Sequence, residues 1–279
     1  MKHLSRLFFI LMALTPFQMN AQTSSAGHYA NINGLKLYYE LHGSGTPLVL
    51  LHGGGSTIQS NYGRILPALA KKHQVIAIEL QAHGHTADID RPLSFEQDAD
   101  DVAALLTQLH ITKAAIMGFS NGGTTALQVA IRHPEVVSKL VLIAALYRRD
   151  GTPPGFFDGL SHTTIDQMPA PLKTAYLAAN PDPKGLQAMF NRDVARMGAF
   201  KDIPDTAIKS IQAPSLVING DLEPILAEHA MLLFRTLPHA RLAIFPGQHG
   251  EYIGEVCTVD KNSVIPELTT ALILEFLQK

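Results

Sequence analysis

Cysteine is almost absent from this sequence, and charged residues are few. The only cysteine in the 279 residues is Cys257, so no disulfide can form within the chain and stability must come from an apolar core. Asp, Glu, Lys and Arg make up 16% of the residues, the formal net charge is −2, and no long charge run occurs. A nucleic-acid-binding protein needs a basic surface, so we predict no nucleic-acid partner.

Clustered metal ligands are also missing. His83 and His85, with His73 and Glu79 nearby, fit no zinc-ligand spacing, and neither a cysteine cluster nor an H-E-x-x-H motif accompanies them. We therefore predict no metal site and interpret the histidine pair as part of a turn after a strand.

No hydrophobic run in the sequence is long enough to span a membrane, and one of the longest lies near the N-terminus. Two basic residues precede the run LFFILMAL at residues 7–14, which is too short to span a membrane. The pattern is typical of a signal peptide and linker in residues 1–26, with cleavage near Ala21 or Ala26. We expect export to a bacterial periplasm or the extracellular space, without stable membrane insertion after cleavage; an uncleaved anchor or a buried apolar arm is the alternative.

The rest of the chain alternates short apolar strands with helical segments. This pattern predicts the α/β class: a mostly parallel central sheet with helices on both faces. A hairpin is predicted over 29–41, strands at 47–51, 75–78, 114–117, 140–144, 216–218 and 242–245, and helices at 61–72, 94–109, 125–131 and 265–277. Ser94 and Gln97 predict a capping box at the start of the second of these helices.

The segment 147–209 breaks this alternation. It contains no good strand, and helical pieces are predicted near 170–179 and 186–197. We interpret it as a helical cap inserted into a core formed by 27–146 and 210–279. Its aromatic residues could line an apolar substrate pocket, for which the candidates are Phe156, Phe157 and Phe190.

A G-x-S-x-G pentad at residues 118–122 follows an apolar strand and precedes a helical segment. This strand–turn–helix context is that of a nucleophile elbow, in which the serine hydroxyl is exposed above the edge of the sheet. We predict that Ser120 is the catalytic nucleophile.

A serine hydroxyl needs a base, and the base needs a carboxylate that orients it. His249 lies in a glycine-rich loop after the last predicted strand, and Asp221 follows the strand before it. We predict that His249 is the base and Asp221 the acid, with Glu223 as the alternative acid.

A glycine turn, His52-Gly53-Gly54-Gly55, follows the strand at 47–51. Because glycine has no side chain, the backbone N–H groups of this turn can approach the carbonyl oxygen of a substrate. We predict an oxyanion hole formed by the N–H groups of Gly54 and of Asn121, the residue after the nucleophile. His52 is interpreted as a structural hydrogen-bonding residue.

With the HGGG turn, the GFSNGG elbow, Asp221 and His249 in this order, the chain resembles the α/β-hydrolase fold superfamily over roughly residues 28 to 279. The resemblance implies a cap before the acid-bearing strand and a cofactor-free hydrolase acting on a small-molecule ester. It also places the acid of many members one or two residues beyond Asp221, where this chain has Leu222 and Glu223. Alternatives are a lactonase, C–C hydrolase or peptidase with the same triad, or a non-catalytic ligand-binding protein on this fold.

Overall fold

The computed structural model describes residues 27–279, so the predicted signal peptide lies outside the described residues. Eight strands form one sheet in the order β1-β2-β4-β3-β5-β6-β7-β8. β2 is antiparallel to both of its neighbours, and every other pair is parallel. The strands are β1 Gly27–Ile32, β2 Leu35–His42, β3 Thr46–Leu51, β4 His73–Glu79, β5 Ala114–Phe119, β6 Val137–Ile143, β7 Ser215–Leu222 and β8 Ala240–Gln248.

Helices connect the parallel strands and cover both faces of the sheet. Successive side chains of a strand point to opposite faces, and in β3 Val49 and Leu51 join one apolar core cluster while Leu48 and Leu50 join the other. The helices are α1 Ile58–Tyr62, α2 Leu66–Ala70, α3 Phe95–Gln108, α4 Asn121–Arg132, α5 Phe156–Leu160, α6 Ala170–Ala179, α7 Pro183–Gly198, α8 Asp205–Ser210, α9 Ala227–Thr236 and α10 Ile265–Gln278.

The inner strands explain why the sequence runs are apolar without alternation. All six residues of β5 are buried, as expected for a parallel strand covered on both faces. The predicted mostly parallel sheet with helices on both faces is confirmed. Among the described residues, no helix is long and apolar enough to cross a membrane.

Two local predictions need correction. The helix predicted over 61–72 is two five-residue helices, α1 and α2, separated at Gly63. Pro67 lies in the first turn of α2, where its missing N–H is tolerated, but a continuous helix would require that N–H. At α3, the Ser94 hydroxyl accepts the N–H of Gln97, but the Gln97 side chain donates to Asp101 (3.0 Å) instead of completing a capping box.

Four helices, α5 to α8, lie between β6 and β7. Their burial is sparse: no residue of α5 is buried, and in α6 only Tyr176 is. A small apolar cluster joins α6 and α7 to the core side through Ala82 and Met168. This region therefore forms a thin layer next to the ends of the parallel strands.

Candidate active site

Ser120 lies at a sharp turn between β5 and α4. Its backbone has φ 54° and ψ −120°, a region that costs free energy for a residue with a side chain and that occurs at functional sites. Strand and helix approach so closely that a Cβ at Gly118 would lie 2.0 Å from the Gly122 carbonyl oxygen. A Cβ at Gly122 would lie 2.1 Å from the carbonyl oxygen of Leu51. The two glycines of the pentad are thus required by packing, and they allow the strained turn that carries the serine.

His249 lies beside this turn, and a buried carboxylate holds it. Its ring packs on the ring of Phe119, the residue before Ser120, with 4.5 Å between centroids. Its Nδ1 is hydrogen-bonded to Glu223 Oε2, and the Glu223 side chain is fully buried. The other carboxylate oxygen of Glu223 accepts the hydroxyl of Tyr252 at 2.6 Å. With Nδ1 occupied, the Nε2 atom of His249 is the ring nitrogen left for a serine hydroxyl.

Tyr252 keeps its proton in this arrangement. Burial, and then the neighbouring charge of Glu223, raise the pKa of Tyr252 well above its ordinary value. The phenol therefore acts as a hydrogen-bond donor that satisfies the second oxygen of the buried Glu223 carboxylate. Glu223 has a fixed orientation because both of its oxygens are bound.

The predicted acid, Asp221, is wrong, and Glu223 takes the contact with the histidine. β7 continues through Leu222, so Asp221 is still within the strand and exposed, whereas Glu223 is the first residue beyond it and is buried. The Asp221 carboxylate instead accepts the N–H of Gly247 at 2.8 Å. The sequence does carry a signal for this contact, because the resemblance places the acid of many superfamily members one or two residues beyond Asp221.

The glycine turn after β3 has its outer two N–H groups occupied by side chains. Gly53 N–H donates to Asn61 Oδ1 at 2.6 Å, and Gly55 N–H donates to Asp193 Oδ2 at 2.7 Å. Within residues 27–279, the N–H of Gly54 between them has no acceptor. Of the three glycines, Gly54 therefore offers the free donor, which agrees with the residue chosen from the sequence.

Asn121 begins α4 directly after Ser120, so its backbone N–H has no partner in the preceding turn of the helix. Its side chain also faces the glycine turn, since a Cβ at Gly54 would lie 2.6 Å from Asn121 Nδ2. The structure thus brings the two predicted oxyanion residues, Gly54 and Asn121, next to each other and to the elbow.

His52 is structural, as predicted. Its Nδ1 is hydrogen-bonded to the Gly53 carbonyl at 2.8 Å, and its Nε2 accepts the N–H of Leu80 at 3.0 Å. Burial lowers the pKa of His52 to about 3, so the ring stays neutral and keeps the acceptor nitrogen that Leu80 requires.

A buried network of charged side chains joins α7 to the glycine turn. Asp193 Oδ2 binds His83 Nε2 at 2.9 Å, and Asp193 Oδ1 accepts Arg196 at 2.5 Å. Arg196 also donates to Asp98 on α3 at 2.7 Å. Burial by itself would raise the pKa of Asp193, but the charges of His83 and Arg196 hold it well below its usual range. Asp193 is therefore an ionised carboxylate beside the candidate site.

The histidines weighed as metal ligands are used in other ways. His83 binds Asp193, and His85 binds Glu79 at 2.8 Å. Among the residues that the structure describes, no group of three His, Cys, Asp or Glu side chains could hold a metal ion.

A cavity of about 270 Å³ opens beside the glycine turn, between that turn and α6 and α7. Its lining is mostly apolar, and Asp193 is the only charged residue among the described residues that line it. Phe190, one of the three candidate pocket residues, is part of this lining. The lining residues are Gly54, Gly55, Leu160, Thr163, Gln167, Met168, Pro169, Leu172, Met189, Phe190, Asp193, Val194 and Met197.

The other two aromatic candidates, Phe156 and Phe157, do not line this cavity. Phe157 stacks on Phe200 with 6.2 Å between centroids, and the guanidinium of Arg149 lies 3.7 Å from the Phe157 ring centre. These contacts anchor α5 outside this cavity, and a role of Phe156 and Phe157 in substrate binding stays a prediction. The positions of aromatic residues along the segment 147–209 do not indicate which of them face the cavity.

Asp193 was missed from the sequence. Its partners Gly55 and His83 lie 138 and 110 residues away in the chain, and its pairing with Arg196, three residues on, is an ordinary spacing on a helix. Only the three-dimensional arrangement brings it to the glycine turn.

Comparison with known proteins agrees with this geometry. A family model described as alpha/beta hydrolase fold matches residues 46–165. The human serine hydrolase BPHL is 27% identical over 253 residues, which cover 83% of this chain and 82% of that protein.

Two solved structures extend the likeness over nearly the whole chain. The meta-cleavage product hydrolase CumD from Pseudomonas fluorescens superposes with a TM-score of 0.74 at 23% identity, covering 90% of this chain and 97% of CumD. An N-acyl homoserine lactone degrading enzyme superposes with a TM-score of 0.69 at 26% identity, covering 89% of this chain and 99% of that enzyme. The chain therefore has the α/β-hydrolase fold, and over residues 46–165 its sequence is similar to that of the alpha/beta hydrolase family.

Proposed function

We propose that this protein is a serine hydrolase that cleaves carboxylic esters through an acyl-enzyme intermediate on Ser120. The observation that carries the proposal is the assembly at one sheet edge of a strained serine, a histidine tied to a buried carboxylate and a free backbone N–H. Each member of this set has a role in acyl transfer, whereas a protein that only binds a ligand would not need the combination.

The chemistry follows from the hydrogen bonds. His249 Nε2 takes the proton of Ser120 as the hydroxyl attacks the acyl carbon, and Glu223 holds the ring and stabilises its protonated form. The N–H groups of Gly54 and Asn121 bind the oxyanion, and each such donor is worth roughly 100- to 1000-fold in kcat. His249 then gives the proton to the leaving alcohol and activates the water that releases the acid.

The charges around the cavity favour a neutral ester over an anionic substrate. Within residues 27–279, the charged group that lines the cavity is the Asp193 carboxylate. The nearby Arg196 is bound to Asp193 and Asp98, so its positive charge is already compensated. A substrate carboxylate would therefore enter a mostly apolar cavity in which the described lining residues offer it no uncompensated cation, which costs free energy. This argues against C–C cleavage of carboxylate-bearing compounds and in favour of neutral esters and lactones.

The size of the cavity favours a small apolar group. A cavity of about 150 Å³ holds one benzene ring, and the cavity here is about 270 Å³. We therefore propose short- to medium-chain or single-ring esters as substrates.

A matched pair of substrates tests the proposal. We expect the purified protein to hydrolyse p-nitrophenyl butyrate with a kcat/KM about ten or more times that for the p-nitrophenyl monoester of glutaric acid, which ends in a carboxylate. Ser120→Ala is the control and should abolish both activities. Faster turnover of carboxylate-bearing C–C substrates than of neutral esters would contradict the assignment.

A further inference from the structure

The glycine turn after β3 has little means of fixing its own conformation. Three consecutive glycines provide no side chains, and the positive φ of Gly55 (68°) is accessible to glycine at little cost. An oxyanion hole must nevertheless be held in place before the reaction, because donors that reorganise lose most of their effect. The turn therefore needs support from elsewhere in the molecule.

Two side chains supply this support from opposite directions. Asn61, in α1 on the core side, accepts the N–H of Gly53 at 2.6 Å. Asp193, in α7, accepts the N–H of Gly55 at 2.7 Å. Each contact removes a donor that could compete with Gly54, and together they fix the peptide planes on both sides of the Gly54 N–H.

The contact from α7 is itself strongly fixed. The Arg196 and Asp98 side chains that support it are each 2% exposed, and the His83 side chain is fully buried. Charge-assisted hydrogen bonds of this kind are shorter, stronger and more directional than neutral ones. A shift of α7 away from the core would therefore break the Asp193–Gly55 contact and release one side of the turn.

We propose that Asp193 is a positioning residue for the oxyanion hole, and that ester hydrolysis requires α7 docked on the glycine turn through this carboxylate. The inference rests on the proposed ester hydrolysis at Ser120. It makes the helix above the cavity part of the catalytic apparatus as well as part of the substrate pocket. Asn61 supports the same turn from the core side.

Removal of either side chain should slow the chemical step more than it weakens substrate binding. We expect Asp193→Ala and Asn61→Ala each to lower kcat for p-nitrophenyl butyrate about 10- to 100-fold, with KM changed less than about threefold. The affinity for a trifluoromethyl ketone, which forms a tetrahedral oxyanion on Ser120, should fall by the same factor as kcat. A loss of folding stability alone would not produce this parallel.

Asp182→Ala is the matched control. Asp182 lies at the start of the same helix and accepts the backbone N–H of Lys184 at 2.9 Å, but it is exposed, and none of its hydrogen bonds within residues 27–279 goes to the glycine turn or to Arg196. This variant should keep kcat and the trifluoromethyl ketone affinity within about threefold of wild type. If Asp193→Ala does not fold, Asn61→Ala still tests the support of the turn.

Three results would overturn the inference: a wild-type kcat in Asp193→Ala, an equal loss of kcat in Asp182→Ala, or unchanged affinity for the trifluoromethyl ketone in Asn61→Ala. In each of these cases, ester hydrolysis by the wild-type protein would still support the proposed function. Absence of ester turnover in folded wild-type protein would remove the proposed function and this inference together.

Discussion

The sheet and the helices between β6 and β7 are held by different forces. β5 is buried along its whole length, whereas α5 has no buried residue. α7 meets the core through charged pairs, Arg196 with Asp98 and Arg192 with Asp88 (2.9 Å). Apolar burial is non-directional and supplies most of the stability, while charged hydrogen bonds fix position. The core thus determines that the protein folds, and the polar contacts determine where the helices above the site lie.

The largest effect is expected on kcat, from a substitution at the edge of the core where β7 and β8 end. Glu223→Gln should lower kcat for a neutral ester by about 1000- to 10,000-fold, because the neutral amide cannot stabilise the protonated histidine. Asp221→Asn, two residues earlier, should change kcat less than about tenfold, since its contact is with a backbone N–H. Steady-state kinetics on both variants decides between the two carboxylates. A larger loss in Asp221→Asn would restore Asp221 as the acid.

The next largest effect is a difference in unfolding free energy between substitutions in the sheet and substitutions in the helices between β6 and β7. Leu140 in β6 is fully buried in the main core, so Leu140→Ala should lower the free energy of unfolding by about 2–5 kcal/mol. Leu186 in α7 belongs to a small cluster beside solvent, and Leu186→Ala should lower it by less than about 2 kcal/mol because this site can collapse. Urea unfolding measures both. Equal losses would mean that the two regions form one cooperative core.

A smaller effect concerns substrate size. Phe190→Ala enlarges the cavity and should raise the ratio of kcat/KM for p-nitrophenyl octanoate over butyrate by about tenfold. Phe157→Ala removes an aromatic ring from the same region but outside the cavity, and the ratio should stay within about twofold of wild type. A shift in the ratio with Phe157→Ala alone would place the acyl group elsewhere.

The smallest effect is a pH dependence of the core. His229 in α9 accepts the N–H of Tyr147 at 3.1 Å, and burial is the main cause that lowers the pKa of His229 to about 4. In the unfolded chain its pKa is about 6.5, so between these values the unfolded state binds more protons. Stability should therefore fall as the pH falls from about 6.5 to 4, by at most about 1.4 kcal/mol per pH unit from this residue.

His229→Gln is the matched variant, since the amide can still accept the N–H but does not titrate. Its unfolding free energy should depend less steeply on pH over this window, and the contribution of the buried neutral His52 should remain. Urea unfolding at several pH values measures the slope. An unchanged slope would mean that His229 is protonated in the folded protein.

Much of the fold and half of the site were readable from local sequence. The G-x-S-x-G pentad and the HGGG turn are contiguous, and their glycines are required by contacts that the motif itself implies. The strands of the parallel sheet are apolar runs because both faces are covered. These features depend on neighbours in sequence, so a single sequence is sufficient to predict them.

The remaining features depend on where elements end and meet. The acid was placed two residues early because β7 extends to Leu222 through an irregular pairing with β8, which composition does not signal. The break at Gly63 between α1 and α2 was not predicted, because the apolar spacing of the surrounding residues favours one continuous helix. Asp193 acquires its role through contacts with Gly55 and His83, which lie 138 and 110 residues away in the chain. Such long-range polar contacts leave no periodic pattern in the sequence.

The most direct test of this account is labelling with a fluorophosphonate probe, followed by peptide mapping of the folded protein. A serine activated by His249 and Glu223 should react with the probe, whereas ordinary serines do not. We expect a single labelled peptide containing Ser120 in the wild type and no label in Ser120→Ala. Folded wild-type protein that stays unlabelled, or a label that persists in Ser120→Ala, would contradict it.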